Sequence, residues 1–160
     1  MLRCDYRSAY VLGLVALVAT PSGEARADAP ADADVKASMQ CERASEPGRV
    51  RCTVEARIDG ASGRTLAWAD VELLSLPDFA SALKGRIGPQ DALARDATST
   101  KWALALVARR AGQGEARARV RVVACEAPRI GPAEADAGAA PPPRCAPVTV
   151  VVKAQLSVGG

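Results

Sequence analysis

Cysteine is the residue type whose number and spacing in this sequence could support chemistry. The five cysteines are Cys4, Cys41, Cys52, Cys125 and Cys145. Cys4 lies in an N-terminal segment typical of signal peptides, so four cysteines remain in the exported chain. An even number of cysteines in an oxidising compartment favours two disulfides. A disulfide that is accessible to other thiols could also take part in thiol–disulfide exchange.

Other catalytic residue types are missing or scattered. The chain has no histidine, which excludes Ser-His-Asp and Cys-His catalysis and histidine-ligated zinc. Acidic residues such as Asp70, Glu72, Asp78 and Asp91 lack the spacing of a metal-binding loop. We therefore expect no metal and no cofactor, and the sequence favours a non-enzymatic role. The formal net charge of +3 is too small to indicate nucleic acid binding.

The N-terminus predicts export from a bacterial cell. Two arginines precede the apolar residues 9–19, and an Ala-Arg-Ala sequence at 25–27 supplies a cleavage site. The apolar run is shorter than the ~20 residues of a spanning helix, so we expect no transmembrane segment in the mature chain. We predict a signal peptide at 1–27, a flexible leader at 28–34 and one domain at 35–158, located in the periplasm or outside the cell.

Two short segments predict the first hairpin. Apolar residues alternate along 35–41 and along 50–58, with a turn containing Pro and Gly between them. If Cys41 faces Cys52 in an antiparallel pair, apolar residues meet apolar residues throughout. The predicted pairs are Met39/Val54, Ala37/Ala56 and Val35/Ile58. This register directs both sulfurs into the core and predicts a structural disulfide.

Two longer segments predict a second hairpin that organises the rest of the chain. Residues 115–125 and 146–158 alternate with a period of two, which is typical of half-buried strands. Placing Cys125 opposite Cys145 gives the pairs Ala124/Ala146, Val122/Val148, Val120/Val150 and Ala118/Val152. The cysteines then share the outward face with Arg117, Arg119, Arg121 and Lys153. The Pro/Ala-rich loop 126–144 between the strands is predicted to be disordered.

This outward face has two functional interpretations beside the structural ones. The arginines and Lys153 could bind an anionic glycan or lipid head group, or they could form a solvated strand face that discourages aggregation. Arginines near Cys125 and Cys145 would stabilise a thiolate. That pair is therefore either a second structural disulfide or a redox-active one.

The middle of the chain predicts two further strands. Residues 65–74 alternate with a change of phase, which indicates a β-bulge or bend near Ala69. Trp68 is then expected to be the aromatic residue of the core, and the alternative is an exposed recognition residue. Residues 102–108 fit either a strand or a helix, and the turn that follows them favours the strand.

One short helix is predicted at about 76–84. Ser75 could act as its N-cap, Pro77 lies in the first turn, and Phe79 and Leu83 would form an apolar face. Residues 86–100 read as a connection with a further helical segment around 91–95.

These elements predict an all-β fold: an immunoglobulin-like antiparallel sandwich of about seven strands with one short helix and two disulfides. Over about 102–158, a long strand ending at Cys125 and a second strand that opens Cys145-Ala-Pro147 resemble the periplasmic N-terminal domain of transmembrane thiol:disulfide reductases. That resemblance implies an immunoglobulin-like sandwich in which Cys125 and Cys145 would relay reducing equivalents to periplasmic partners.

The sequence thus favours an exported, non-enzymatic β-sandwich module with a binding or structural role in the bacterial envelope. Its expected partner is another envelope protein or an anionic glycan. The alternative is a periplasmic thiol–disulfide relay domain that uses Cys125 and Cys145.

Overall fold

The structure, a computed structural model, describes residues 34–126 and 142–159. Within these ranges the chain forms nine β-strands. In chain order they are β1 Val35–Cys41, β2 Gly48–Ile58, β3 Arg64–Ser75, β4 Ala80–Ala82, β5 Arg86–Ile87, β6 Ala92–Arg95, β7 Ser99–Ala108, β8 Gly112–Glu126 and β9 Cys145–Val158. Two short 3-10 turns, Gly60–Ser62 and Pro89–Asp91, lie between strands.

The strands form two antiparallel sheets. The first has the order β1-β2-β7-β4, with β6 also paired to β7, and the second has the order β5-β3-β8-β9. β4 and β6 pair with opposite ends of β7, so together they form one edge of the first sheet. Buried residues from both sheets contribute to one hydrophobic cluster. The protein is therefore an all-β sandwich, as the sequence predicts.

Both predicted hairpin registers are confirmed. β1 and β2 pair Cys41 with Cys52 and continue to Val35 with Ile58. β8 and β9 pair Cys125 with Cys145 and continue without a shift to the far end of both strands. A slip of one residue would exchange the buried and exposed faces of a strand, so the alternating pattern allows little freedom of register.

The core between the sheets is built from alternate residues of the long strands. Its largest fully buried side chains are Trp102, Leu104, Leu106 and Leu156. Residues 102–108 form part of the strand β7, as the sequence favours. The even-numbered side chains Trp102, Leu104 and Leu106 of β7 all enter the core. The odd-numbered residues of β7 are half-buried or exposed.

The predicted helix at 76–84 is wrong. The segment instead contains β4, and the Leu83 amide donates to the Ala105 carbonyl at the edge of β7. Phe79 is buried over the start of β8, where a Cβ on Gly112 would lie 2.7 Å from its ring. Leu83, its expected partner four residues on, is 62% exposed. Contacts with distant strands thus override the local helical signals in this segment.

The predicted environment of Trp68 is also wrong. The first of two register shifts in β3 lies between Leu66 and Trp68, close to the predicted position near Ala69 but on the other side of Trp68. Trp68 therefore falls on the outward face and is 37% exposed, while Ala69 enters the core. The buried aromatic residues of the core are instead Trp102, which is 0% exposed, and Phe79, which is 4% exposed.

The helical segment predicted around 91–95 is wrong, because the 3-10 turn ends at Asp91 and Ala92–Arg95 form β6. The predicted signal peptide 1–27, most of the leader 28–34 and most of the loop 126–144 lie outside the described residues. No helix in residues 34–126 or 142–159 has the length and apolar character that crossing a membrane requires.

Candidate functional site

The Cys41–Cys52 disulfide is part of the core. Both bonded cysteines lie on facing positions of β1 and β2. Cys52 is 0% exposed and Cys41 is half-buried. Because Cys52 is fully buried, the place of this disulfide in the fold suits a structural role.

The Cys125–Cys145 disulfide is exposed at one of its two cysteines. Cys125 is 8% exposed and Cys145 is exposed. A hollow of about 340 Å³ beside Cys145 is lined by Ser62, Arg64, Glu126, Arg144 and Ala146. Cys145 Sγ lies 3.7 Å from the Pro143 carbonyl oxygen. A small thiol could therefore approach Cys145 directly from solvent.

The predicted arginine face is present, but acidic residues lie within it. Arg117 and Lys153 are opposite each other on β8 and β9, and both approach Glu115, at 3.9 and 3.4 Å. Arg119 Nη1 lies 3.4 Å from Glu72 Oε2 on the neighbouring strand β3. These carboxylates offset much of the positive potential that the arginines alone would produce.

Asp70 is the most buried charged group on this face. Its side chain is 1% exposed and lies between two guanidinium groups. Arg121 on β8 donates from Nε to Oδ1 at 2.9 Å, and Arg86 on β5 donates from Nε to Oδ2 at 2.7 Å. Burial raises the pKa of Asp70, but the hydrogen bonds and positive charges of the two arginines outweigh it and leave the pKa below its ordinary value.

A second hollow opens beside this carboxylate. It has a volume of about 340 Å³ and is lined by Trp68, Asp70, Arg86, Gly88, Pro89, Gln90 and Asp91. The guanidinium carbon of Arg121 lies 5.9 Å from the Trp68 ring centroid, within the range of a cation–π contact. We call this feature the Trp68 hollow.

The Trp68 hollow exists because β5 is very short. β3 is bonded along its edge on both sides of Trp68, by Leu73 N to Gly85 O and by Leu66 N to Ala97 O, each at 2.7 Å. Between these contacts the chain leaves the sheet through Gly88 and the turn Pro89–Asp91 and crosses to the other sheet as β6. Beside Trp68 this edge of β3 is therefore not paired with β5, and the Ala67 carbonyl there accepts from Arg95 Nη2 at 2.7 Å.

The wall that faces Trp68 is held by specific contacts. The indole Nε1 of Trp102 donates to the Gly88 carbonyl oxygen at 3.0 Å, which ties the wall to the core. Asp91 Oδ2 accepts from the Gly88 amide at 3.0 Å, and Asp91 Oδ1 accepts from Lys84 Nζ at 2.8 Å. The Lys84 and Gly88 hydrogen bonds also lower the pKa of Asp91.

Sequence reasoning missed this hollow. It identified Trp68 as a recognition residue only in the alternative, and it gave no role to Arg86, Gln90 or Asp91. The phase change in 65–74 is the signal that could have shown Trp68 to face outward, if the bulge had been placed one or two residues earlier. Among the described residues, no group of three or more cysteines or acidic residues is arranged to hold a metal ion.

Comparisons with known proteins assign no function. No protein-family model matches the chain, and no curated protein matches it in sequence. A solved structure that it resembles is that of BslA, a bacterial hydrophobin. The two chains are 11% identical, and the alignment covers 77% of this chain and 93% of BslA with a TM-score of 0.29. A likeness this weak supports no statement about function.

Proposed function

We propose that the chain is an exported, non-enzymatic β-sandwich module with a binding or structural role in the bacterial envelope. The observation that carries this proposal is the pair of disulfides, one closing each of the two hairpins. Disulfides form and persist in oxidising compartments, and residues 1–27 have the pattern of a signal peptide. The absence of histidine from the sequence supports the non-enzymatic part of the proposal.

The proposal includes an immunoglobulin-like strand order. The order β1-β2-β7-β6 would correspond to strands A-B-E-D of that fold, and β5-β3-β8-β9 to C′-C-F-G, with β4 as an additional short strand beside β7. Here each disulfide joins neighbouring strands of one sheet, whereas the disulfide of antibody domains joins the two sheets. Such sandwiches present side chains on a rigid sheet, which suits a binding role.

Expression of the full chain in a bacterium tests this proposal. We expect the protein in the periplasm or medium, cleaved after Ala27, with both disulfides formed. Cell fractionation, intact mass spectrometry and thiol counting under denaturing conditions would measure the three properties. Retention in the cytoplasm with free thiols would contradict the proposal.

The second candidate function is thiol–disulfide exchange at Cys125 and Cys145. The observation that favours it is the exposure of Cys145 beside a hollow that contains Arg64 and Arg144. Positive charge near a sulfur favours the thiolate and makes that sulfur a better leaving group. Exchange would form a mixed disulfide between an external thiolate and one sulfur of the pair, and would release the other sulfur as a thiolate.

Thiol labelling of the folded protein after mild reduction separates the two candidates. A relay domain would release Cys125 and Cys145 under conditions that leave the core disulfide closed, and peptide mapping would locate the labels. A binding module with two structural disulfides would resist at both. The Cys41–Cys52 disulfide, half-buried at Cys41 and fully buried at Cys52, is the internal control, because its opening shows that the reductant does not select the Cys125–Cys145 pair.

A further inference from the structure

The Trp68 hollow has the dimensions of a small-molecule site. Its volume of about 340 Å³ lies at the lower end of the ~300–1,000 Å³ that ligand pockets occupy. It is open along one side and carries more polar than apolar groups in its lining. A shallow polar hollow of this size suits one or two units of a chain that continues into solvent.

The hollow is held in shape by the contacts of its own wall. Trp102 fixes Gly88 from the core, Asp91 closes the 3-10 turn, and Asp70 orients the Arg86 guanidinium. Groups that are already positioned lose little conformational entropy when a ligand binds. The site would therefore bind without rearrangement of the sheet.

Trp68 supplies an apolar surface among these polar groups. The side chain is 37% exposed, although an indole of this size would normally be buried. Its orientation is stabilised by the Arg121 guanidinium over the ring. An exposed, oriented indole can pack against the C–H face of a pyranose ring, while the indole N–H and neighbouring groups reach the hydroxyls.

The charges around the hollow favour a neutral ligand. Arg86 and Arg121 are both bonded to Asp70, and Lys84 is bonded to Asp91. An anionic ligand would have to compete with these carboxylates for the same cations. A hydroxyl group both donates and accepts, so it can bond to paired carboxylates and guanidinium groups, and to the Gln90 amide, without displacing either member of a pair.

We propose that the Trp68 hollow binds one or two pyranose units of a neutral glycan. This inference rests on the proposed function as an exported binding module, and it identifies the site and the ligand class. Trp68 provides the stacking surface, and Arg86, Gln90 and Asp91 provide the hydrogen bonds. We infer this ligand class because the exposed indole of Trp68 lies beside polar groups whose charges are already paired.

Tryptophan fluorescence of the mature, oxidised chain gives a direct test. The sequence has two tryptophans, and Trp102 is fully buried, so a ligand in the hollow should shift the emission of Trp68 to shorter wavelength. The probes are cellohexaose, laminarihexaose and N-acetylchitohexaose. We expect at least one to bind with a dissociation constant of about 1 mM or lower.

Variants assign the binding to the hollow. Calorimetry with the binding oligosaccharide should show a loss of about tenfold or more for Trp68→Ala and a smaller loss for Gln90→Ala. Trp68→Phe keeps an aromatic ring and should retain part of the affinity. Leu93→Ala is the control, because Leu93 is an apolar side chain that is 63% exposed, more than Trp68, but does not line the hollow. Circular dichroism would confirm that each variant is folded.

Two outcomes would overturn the inference. The first is no binding of any of the three oligosaccharides up to about 10 mM. The second is binding that does not depend on the hollow: either Trp68→Ala leaves the affinity unchanged, which places the site elsewhere, or heparin is preferred with an affinity that falls steeply with salt, which places recognition on the arginine face. Neither outcome touches the export and disulfide tests, so failure of this inference is distinguishable from failure of the proposed function.

Discussion

Replacement of Asp70 by asparagine is the most informative single change in this protein. The substitution keeps the shape of the side chain but removes its negative charge from between Arg86 and Arg121. One carboxylate oxygen becomes an NH₂ group. This group is a hydrogen-bond donor and would face the guanidinium N–H groups, which are also donors. The two arginines then face each other without the charge that holds them together.

The expected cost follows from the burial of the three groups. Removing one partner of a buried ion pair typically costs about 3–5 kcal/mol, and the Asp70 side chain is 1% exposed. The arginines are less enclosed, since the side chains of Arg86 and Arg121 are 57% and 34% exposed and water can solvate them again. We therefore expect Asp70→Asn to lower the free energy of unfolding by about 2–3 kcal/mol at neutral pH.

The effect should depend on pH in a defined direction. The pKa of Asp70 is lowered in the folded protein, so the folded state binds this proton less readily than the unfolded state. Its contribution is fully present above the unfolded pKa of about 3.9 and is lost as the pH falls through the lower folded pKa. The difference between wild type and Asp70→Asn should be constant from pH 5 to pH 8 and should shrink below about pH 4.

Urea unfolding followed by circular dichroism at pH 7, 5 and 3 measures this difference. Asp78→Asn is the matched control, because Asp78 bonds Arg110 at 2.5 Å with both side chains largely exposed. Such surface pairs contribute about 0–1 kcal/mol. Equal losses in the two variants, or an Asp70→Asn loss unchanged at pH 3, would refute the view that Asp70 is a buried, ionised centre of the face.

Three further changes test other parts of the fold. Thr100→Val should raise the free energy of unfolding by about 1 kcal/mol, because the buried Thr100 hydroxyl has no hydrogen-bond partner among the described residues. A lower thermal unfolding temperature for the variant would mean that the Thr100 hydroxyl is hydrogen-bonded in solution. Replacing Cys41 and Cys52 together by alanine should cost about 3–4 kcal/mol in urea, from the loop entropy and the lost burial of Cys52. Lys153→Val should promote self-association in sedimentation experiments. β9 is an edge strand, and the charge of Lys153 opposes its pairing with a strand of another molecule. Lys101→Val on the interior strand β7 is its control, and equal association of both variants would contradict this role.

The sequence by itself determined the strand class, the two hairpins and their registers. Alternation with a period of two fixes which residues of 115–125 and 146–158 face the core, and the cysteine at the end of each segment fixes the offset between them. These are relations between two facing strands, and a one-residue error would place charged side chains in the core. That large penalty is why the register could be read without a structure.

Only the tertiary structure decided where Trp68 lies and what surrounds it. The phase change in β3 was visible in the sequence, but whether the bulge lies before or after Trp68 depends on pairing with β8. Residues 76–84 carry helical signals, yet their best burial is against β7 and β8, so the chain there is extended. Arg86 and Asp91 line the same hollow as Trp68 because the chain leaves one sheet after β5 and crosses to the other as β6. Such an arrangement depends on the packing of the whole domain. Local patterns carry no information about them.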